Sequence, residues 1–226
     1  MLAAVAGCCA DVVLGYQEYF PSKNMKRIEL SKIDDRNMDI AQVYNSVIAK
    51  VAPVGRILAV GDSNREHAIL NMKYFQDNKD KIQSIGININ KEHCGQFRHF
   101  SIEYCDAHKM TFADEHFDCV ISVMMLEHDP EFWLSVAEMK RVLKTKGSLI
   151  VAVPGYINDS TTNLTSRKFH LGNGTTVYES HGDPDCYRFG LHFFEYYLLR
   201  DMHDTAVFHS KLPPRLIGIG YKSSNA

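Results

Sequence analysis

Side chains able to hold a nucleoside and to move a proton recur in this sequence at one kind of place, just after short apolar runs. Gly61-Asp62-Ser63 follows the run 56–60 and leads into a helical pattern, so its backbone amides can receive an anionic or polar group. Asn88 lies at the end of the run 82–89; its amide can hydrogen-bond a ribose hydroxyl, a task a carboxylate performs more strongly. Asp106, after the run 100–105, can accept from an adenine amine, and His128, beside Glu127 after the run 117–123, can take a proton from a hydroxyl. Plainer roles stand beside these. Gly61 relieves a tight turn, Asn88 shapes one, Asp106 caps one, and a histidine such as His128 packs or holds a loop.

The apolar runs must be the elements that present these residues. The runs 56–60, 82–89, 100–105, 117–123 and 148–153 read as strands, and helical spacing at 66–75, 93–100 and 130–143 separates them, the last with a stop near Lys146-Gly147. Strands alternating with helices at this interval need crossover connections. The expected fold is therefore α/β: a Rossmann-like open, mostly parallel sheet with helices on both faces and an antiparallel C-terminal strand, the last from the strand patterns at 205–212 and 216–221. In such sheets ligands bind beyond the carboxyl ends of the strands, where all the residues above fall. The chain divides as one domain, with a helical preface over 1–52, a core over 53–155 and a final part over 156–226. That part opens on a polar stretch, 158–174, too long for a routine connection, and includes a helix-like segment at 191–202.

Composition narrows the classes. The 226 residues are 45% hydrophobic and 23% charged, which excludes a disordered or collagenous chain. Lys and Arg number 25 against 27 Asp and Glu, too balanced for an electrostatic grip on nucleic acid or anionic lipid. The six cysteines include no C-x-x-C pair, so no structural zinc or other metal is expected. The apolar start over 2–14 has no preceding basic residue and is broken by Asp11, unlike a signal peptide, and a cytoplasmic protein is expected.

The ordered series Cys105-Asp106-Ala107 through Phe112, Phe117-Asp118-Cys119-Val120-Ile121-Ser122, Leu126-Glu127-His128, and Glu138 to Lys144 leading to Val153-Pro154 resembles class I S-adenosylmethionine-dependent methyltransferases of the small-molecule branch. The resemblance spans residues 56–155. It implies S-adenosyl-L-methionine as cofactor, with Gly61, Asp62 and Ser63 under its methionine part, Asn88 and Ile89 at the ribose, Asp106 and Ala107 at the adenine, and Ser122 and Val123 near the reactive methyl. A shorter similarity, from His181 to Phe189, is to methyltransferases linked to sugar and cell-surface glycan pathways. If the acceptor is a hydroxyl, His128 and His181 are the candidate bases, and Tyr187 and Arg188 are candidates to orient the acceptor. Tyr16, Tyr19 and Phe20 are candidates for a lid.

The chain also departs from the family's pattern. The acid that usually ends the first strand is Ala59, later glycines of the turn are Ser63 and Arg65, and the ribose-binding acid is Asn88. The expected function is methyl transfer to a small molecule or a sugar or glycan precursor; the alternative is a catalytically silent binding protein on the same fold. The absence of a G-x-G-x-x-G disfavours a nicotinamide enzyme. A small-molecule or glycan acceptor is the expected partner, with neither nucleic acid nor membrane, and a homodimer is compatible with the sequence.

Overall fold

A computed structural model describes residues 30–32, 39–65, 68–155, 168–170, 176–178, 185–211 and 214–224. Tyr16, Tyr19, Phe20 and His181 lie outside the described residues.

Strands β1 (Leu30–Lys32), β2 (Gly55–Val60), β3 (Ile82–Asn88), β4 (Gly95–Gln96), β5 (Ser101–Tyr104), β6 (Phe117–Val123), β7 (Leu143–Pro154), β10 (Met202–Lys211) and β11 (Pro214–Lys222) form one sheet. A separate antiparallel pair joins β8 (Lys168–His170), within the polar stretch, to β9 (Thr176–Tyr178), just after it, where the sequence suggests no strand. The order across the large sheet is β1-β10-β11-β7-β6-β2-β3-β5-β4. From β2 the chain runs outward through β3 to β5, then returns to β6 on the other side of β2 and proceeds to β7. The order reverses between β2 and β6, so the crevice for a ligand opens at their carboxyl ends. β11 is antiparallel to both of its neighbours, β7 and β10, as the expected C-terminal reversal requires.

Alternation along each central strand builds two cores, one on each face. Ile57 and Ala59 of β2 join Cys119 and Ile121 of β6 under helix α1 (Ile40–Val51) and the segment around Ile69, Leu70 and Phe75. Leu58 and Val60 point the other way, with Val120, toward Val136 and Met139 of helix α3 (Phe132–Val142) and toward Phe194. Helices therefore cover both faces. The start of α1 is fixed by a capping box: Asp39 Oδ1 accepts from Gln42 N at 2.8 Å, and Gln42 Oε1 accepts from Asp39 N at 3.0 Å. It ends at Ala52, in the left-handed region at φ 50°, just before Pro53.

Four helical expectations are corrected, and β1 places a strand inside the stretch 1–52 expected to be helical. Over 66–75 the helix shortens to a 3₁₀ turn, Ile69–Asn71, and helix α2 (Lys73–Asp77). Residues 93–100 are not helical: a 3₁₀ turn, Lys91–His93, gives way to β4, which pairs with β5 across a turn closed by Phe97 N donating to Phe100 O at 2.9 Å and by stacking of those two rings. The helix α3 stops at Val142, and β7 begins at the next residue. Lys146, at φ 64°, and Gly147 instead bend β7 against β6; a Cβ on Gly147 would lie 2.8 Å from Lys144 O and 3.0 Å from Asp118 O. The segment around 191–202 is helical only in part, as helix α4 (Leu191–Phe193) continuing into a π-helical turn, Phe194–Leu198.

Candidate active site

The turn after β2 is built around an inward-facing carboxylate. Gly61 adopts φ 76°, which a side chain would strain, and Asp62 is 2% exposed. Asp62 Oδ1 accepts from the amides of Ser63 at 2.9 Å and Ile69 at 2.8 Å, and Oδ2 from that of Leu70 at 3.1 Å. Burial pushes this carboxyl upward and the three amides oppose that shift. Amides that could otherwise meet a ligand are thus held by the chain's own acid. Ser63 Oγ lies 3.4 Å from Arg65 N, which donates to it.

Asn88 is committed in the same way. Its Nδ2 donates to Asp62 O at 2.7 Å and its Oδ1 accepts from Asn90 N at 2.7 Å, so it ties the β2 turn to the β3 turn. A second tie runs from Asn64 Nδ2 to Glu92 O at 2.9 Å. The neighbouring Ile89 is 65% exposed and offers an apolar face at this rim. Asp106 is exposed, with Oδ1 accepting from His108 N at 2.9 Å, while Ala107 packs against the core.

The loop from Asp106 onward is bolted to α3. His108 Nε2 lies 2.8 Å from Asp129 Oδ1, whose other oxygen accepts from Ser135 Oγ at 2.5 Å. Burial opposes a charge on His108, but the hydrogen bond and charge of Asp129, with Asp106, outweigh it and raise its pKa. Arg141 donates to Glu138, Asp114 and the carbonyls of Met110 and Phe112 and fixes the next turn.

At the end of β6, Ser122 is 1% exposed and its Oγ has no hydrogen-bond partner among the described residues. A buried hydroxyl left in that state at a switch point suits a polar ligand group or a water. Val123 is half-buried and packs under the α1 face. Beyond Met124, at φ 55°, the chain turns and His128 N donates to Met125 O at 3.0 Å. The His128 ring then stands between two carboxyls: Nε2 is 3.8 Å from Glu127 Oε1 and Nδ1 is 3.4 Å from Asp185 Oδ1. Asp185 also pairs with Arg188. Glu127 is fully buried; burial chiefly, with Asp185 adding to it, drives its carboxyl up to about 7 against the pull of His128 and Arg215. Arg215 Nε in turn donates to Tyr44 Oη at 3.2 Å. Tyr187 is held by its N donating to Glu127 O at 3.1 Å and its Oη donating to Pro130 O at 2.8 Å, and its ring meets Phe132 edge-on.

Glu127, His128 and Asp185 bring ligand-type atoms within 4.8 Å of one another. Arg188 on Asp185 and Arg215 toward Glu127 already supply positive charge to those two carboxyls, which makes the trio an ionic network rather than a cage for a cation. Sequence reasoning named His128, Tyr187 and Arg188 but missed that Glu127 and Asp185 flank the imidazole and that Tyr44 and Arg215 back them. Position 215 lies in β11, far from any motif, and no local signal marks it. A shallow depression of about 610 Å³ bordered by Arg56, Lys79 and Asp118 lies at the opposite, amino-terminal ends of β2 and β3, away from this rim.

A parallel sheet reversing between β2 and β6, an added antiparallel strand, and polar loops gathered at one rim define a Rossmann-like α/β architecture. Residues 69–151 match the family model described as a methyltransferase domain. The match begins past the turn 61–65, where the family's glycines are missing.

Solved structures agree at the level of fold. The CurJ carbon methyltransferase has a TM-score of 0.59 at 11% identity over 95% of this chain and 59% of its own. Phosphoethanolamine N-methyltransferase 2 of Haemonchus contortus, in complex with S-adenosyl-L-methionine, gives 0.56 at 11% identity over 81% of this chain and 53% of its own. A protein of Listeria monocytogenes assigned to the S-adenosylmethionine-dependent methyltransferases gives 0.53 at 14% identity over 81% and 98%. The chain thus spans little more than half the length of the first two. No curated protein matches the sequence.

Proposed function

We propose that the chain transfers a methyl group from S-adenosylmethionine to a small molecule or a sugar or glycan precursor. One observation carries this reading: Asp106, the orphaned Ser122 hydroxyl and His128 all belong to loops or strand ends on the carboxyl side of the sheet, around the reversal between β2 and β6. The cofactor, when bound, supplies a methyl group on a sulfonium, open to in-line attack. The residues present fit its adenosine end best. Asp106 would accept from the adenine amine, Ile89 and Ala107 would lie against the rings, and Ser122 would meet a polar group beneath them. Toward the methionine end, Gly61, Asp62 and Ser63 contribute chiefly backbone, because the Asp62 carboxylate is turned inward. Asn88 stiffens this wall rather than reaching outward.

His128 would take the acceptor's proton, and Tyr187 and Arg188 would line the acceptor side. The balance of charged residues favours a small acceptor over nucleic acid. The free thiols of Cys94, Cys105, Cys119 and Cys186 suit a reducing cytosol. Among the described residues no helix is long and apolar enough to cross a membrane.

Calorimetry with S-adenosylmethionine and its demethylated product tests the proposal; submillimolar binding of both is the expected result. A second reading, a catalytically silent binding protein, draws on the internal use of Asp62 and Asn88. It takes over if neither compound binds at millimolar concentration.

A further inference from the structure

We infer that Glu127 is a positioning residue of the reaction: together with Asp185 it holds the His128 imidazole between two carboxyls, and it receives the proton that His128 takes from the acceptor. This rests on the methyl-transfer reading, but its geometry is independent of any cofactor. The three groups come from two segments that are fastened directly to each other, since Glu127 O accepts from Cys186 N at 2.6 Å and from Tyr187 N at 3.1 Å. The segments that carry the two carboxyls and the ring are therefore held together by backbone. Glu127 is 0% exposed, whereas the His128 side chain is 29% exposed. The imidazole is thus the member of the trio that water or an acceptor can reach, and the glutamate lies behind it.

A carboxylate buried this completely is costly unless opposite charge or a proton compensates it. Around Glu127 the described groups are of both signs: His128, Asp185 with Arg188 beyond it, and Arg215, itself hydrogen-bonded to Tyr44. The imidazole and the glutamate thus belong to one network through which a proton can pass. In the proton step the acceptor's X–H bond breaks with its electron pair staying on X, and an N–H bond forms on the imidazole. The imidazolium then gives that proton to a Glu127 oxygen, leaving neutral imidazole and a neutral carboxylic acid. Return of the proton through His128 to water restores the carboxylate.

The test is a ¹³C NMR titration of the full chain with carboxyl-labelled glutamate, the Glu127 signal being identified by its loss in Glu127→Gln or, should that variant not fold, in Glu127→Asp. We expect one glutamate titrating near pH 7. His128→Gln, which removes the cationic partner, should move its midpoint up, and Asp185→Asn, which removes the anionic one, should move it down, each by at least about half a pH unit, or about threefold in proton affinity. A Glu127 midpoint in the ordinary carboxyl range, or one indifferent to either substitution, overturns the inference. Absence of S-adenosylmethionine binding by the unmodified chain would instead overturn the methyl-transfer reading and leave the coupling among these groups to be judged by the titration alone.

Discussion

Met125 lies directly on Gly61: a Cβ placed on that glycine would come within 2.5 Å of Met125 Cγ and 2.8 Å of its Cβ. The contact joins the turn after β2 to the turn after β6, across the point where the strand order reverses. Gly61→Ala therefore meets both a clash and a backbone at φ 76°. We expect a loss of about 1–3 kcal/mol in denaturant unfolding. Adding Met125→Ala should recover part of that loss, so that the double variant is less damaged than the two single effects combined.

The three amides held by Asp62 set up a second expectation. Asparagine at this position can accept with one oxygen only and turns an NH₂ toward a donor. Asp62→Asn should cost about 1–3 kcal/mol. Faster hydrogen exchange at the Ile69 and Leu70 amides, with exchange in α3 unchanged, would locate the damage at the start of the 3₁₀ turn.

Asp106 is exposed and the hydrogen bond shown for its carboxylate comes from a neighbouring amide, so removing that side chain should spare the fold. Asp106→Ala is expected to keep the melting temperature within about 2 °C. Affinity for S-adenosylmethionine should fall about tenfold or more by calorimetry, the size of a lost hydrogen bond to a charged group. Unchanged affinity would place the adenine elsewhere.

His108 gives stability a pH dependence. Its folded pKa is raised above the unfolded value of about 6.5, so its contribution is complete below that pH and is lost as pH rises through the folded value. Melting temperatures measured from pH 5 to 9 should fall through this window in the unmodified chain, and His108→Gln should flatten that part of the curve.

The sheet was legible in the sequence because β2, β3, β6 and β7 are buried apolar runs closed by turn residues, a pattern that few other elements share. The helices were less so. Residues 95–100 form no helix because β5 offers an edge to Gly95 and Gln96 and the Phe97–Phe100 turn closes the pair, a long-range effect that spacing cannot carry. At the rim, the sequence offers Asn88 as a ribose partner because it shows only the neighbours in the chain. Its bond to Asp62 spans 26 residues and exists only once β2 and β3 are side by side. The same holds for His128, whose second carboxyl, Asp185, is 57 positions away in the chain.

β1 pairs in parallel with Val207, Phe208 and His209, the middle of the outermost long strand. Three residues thus act as a cover for an edge whose backbone groups would otherwise be a template for another molecule. A chain trimmed through Lys32 would bare that edge, and its first symptom would be self-association at high concentration while the loops at the carboxyl rim stayed intact.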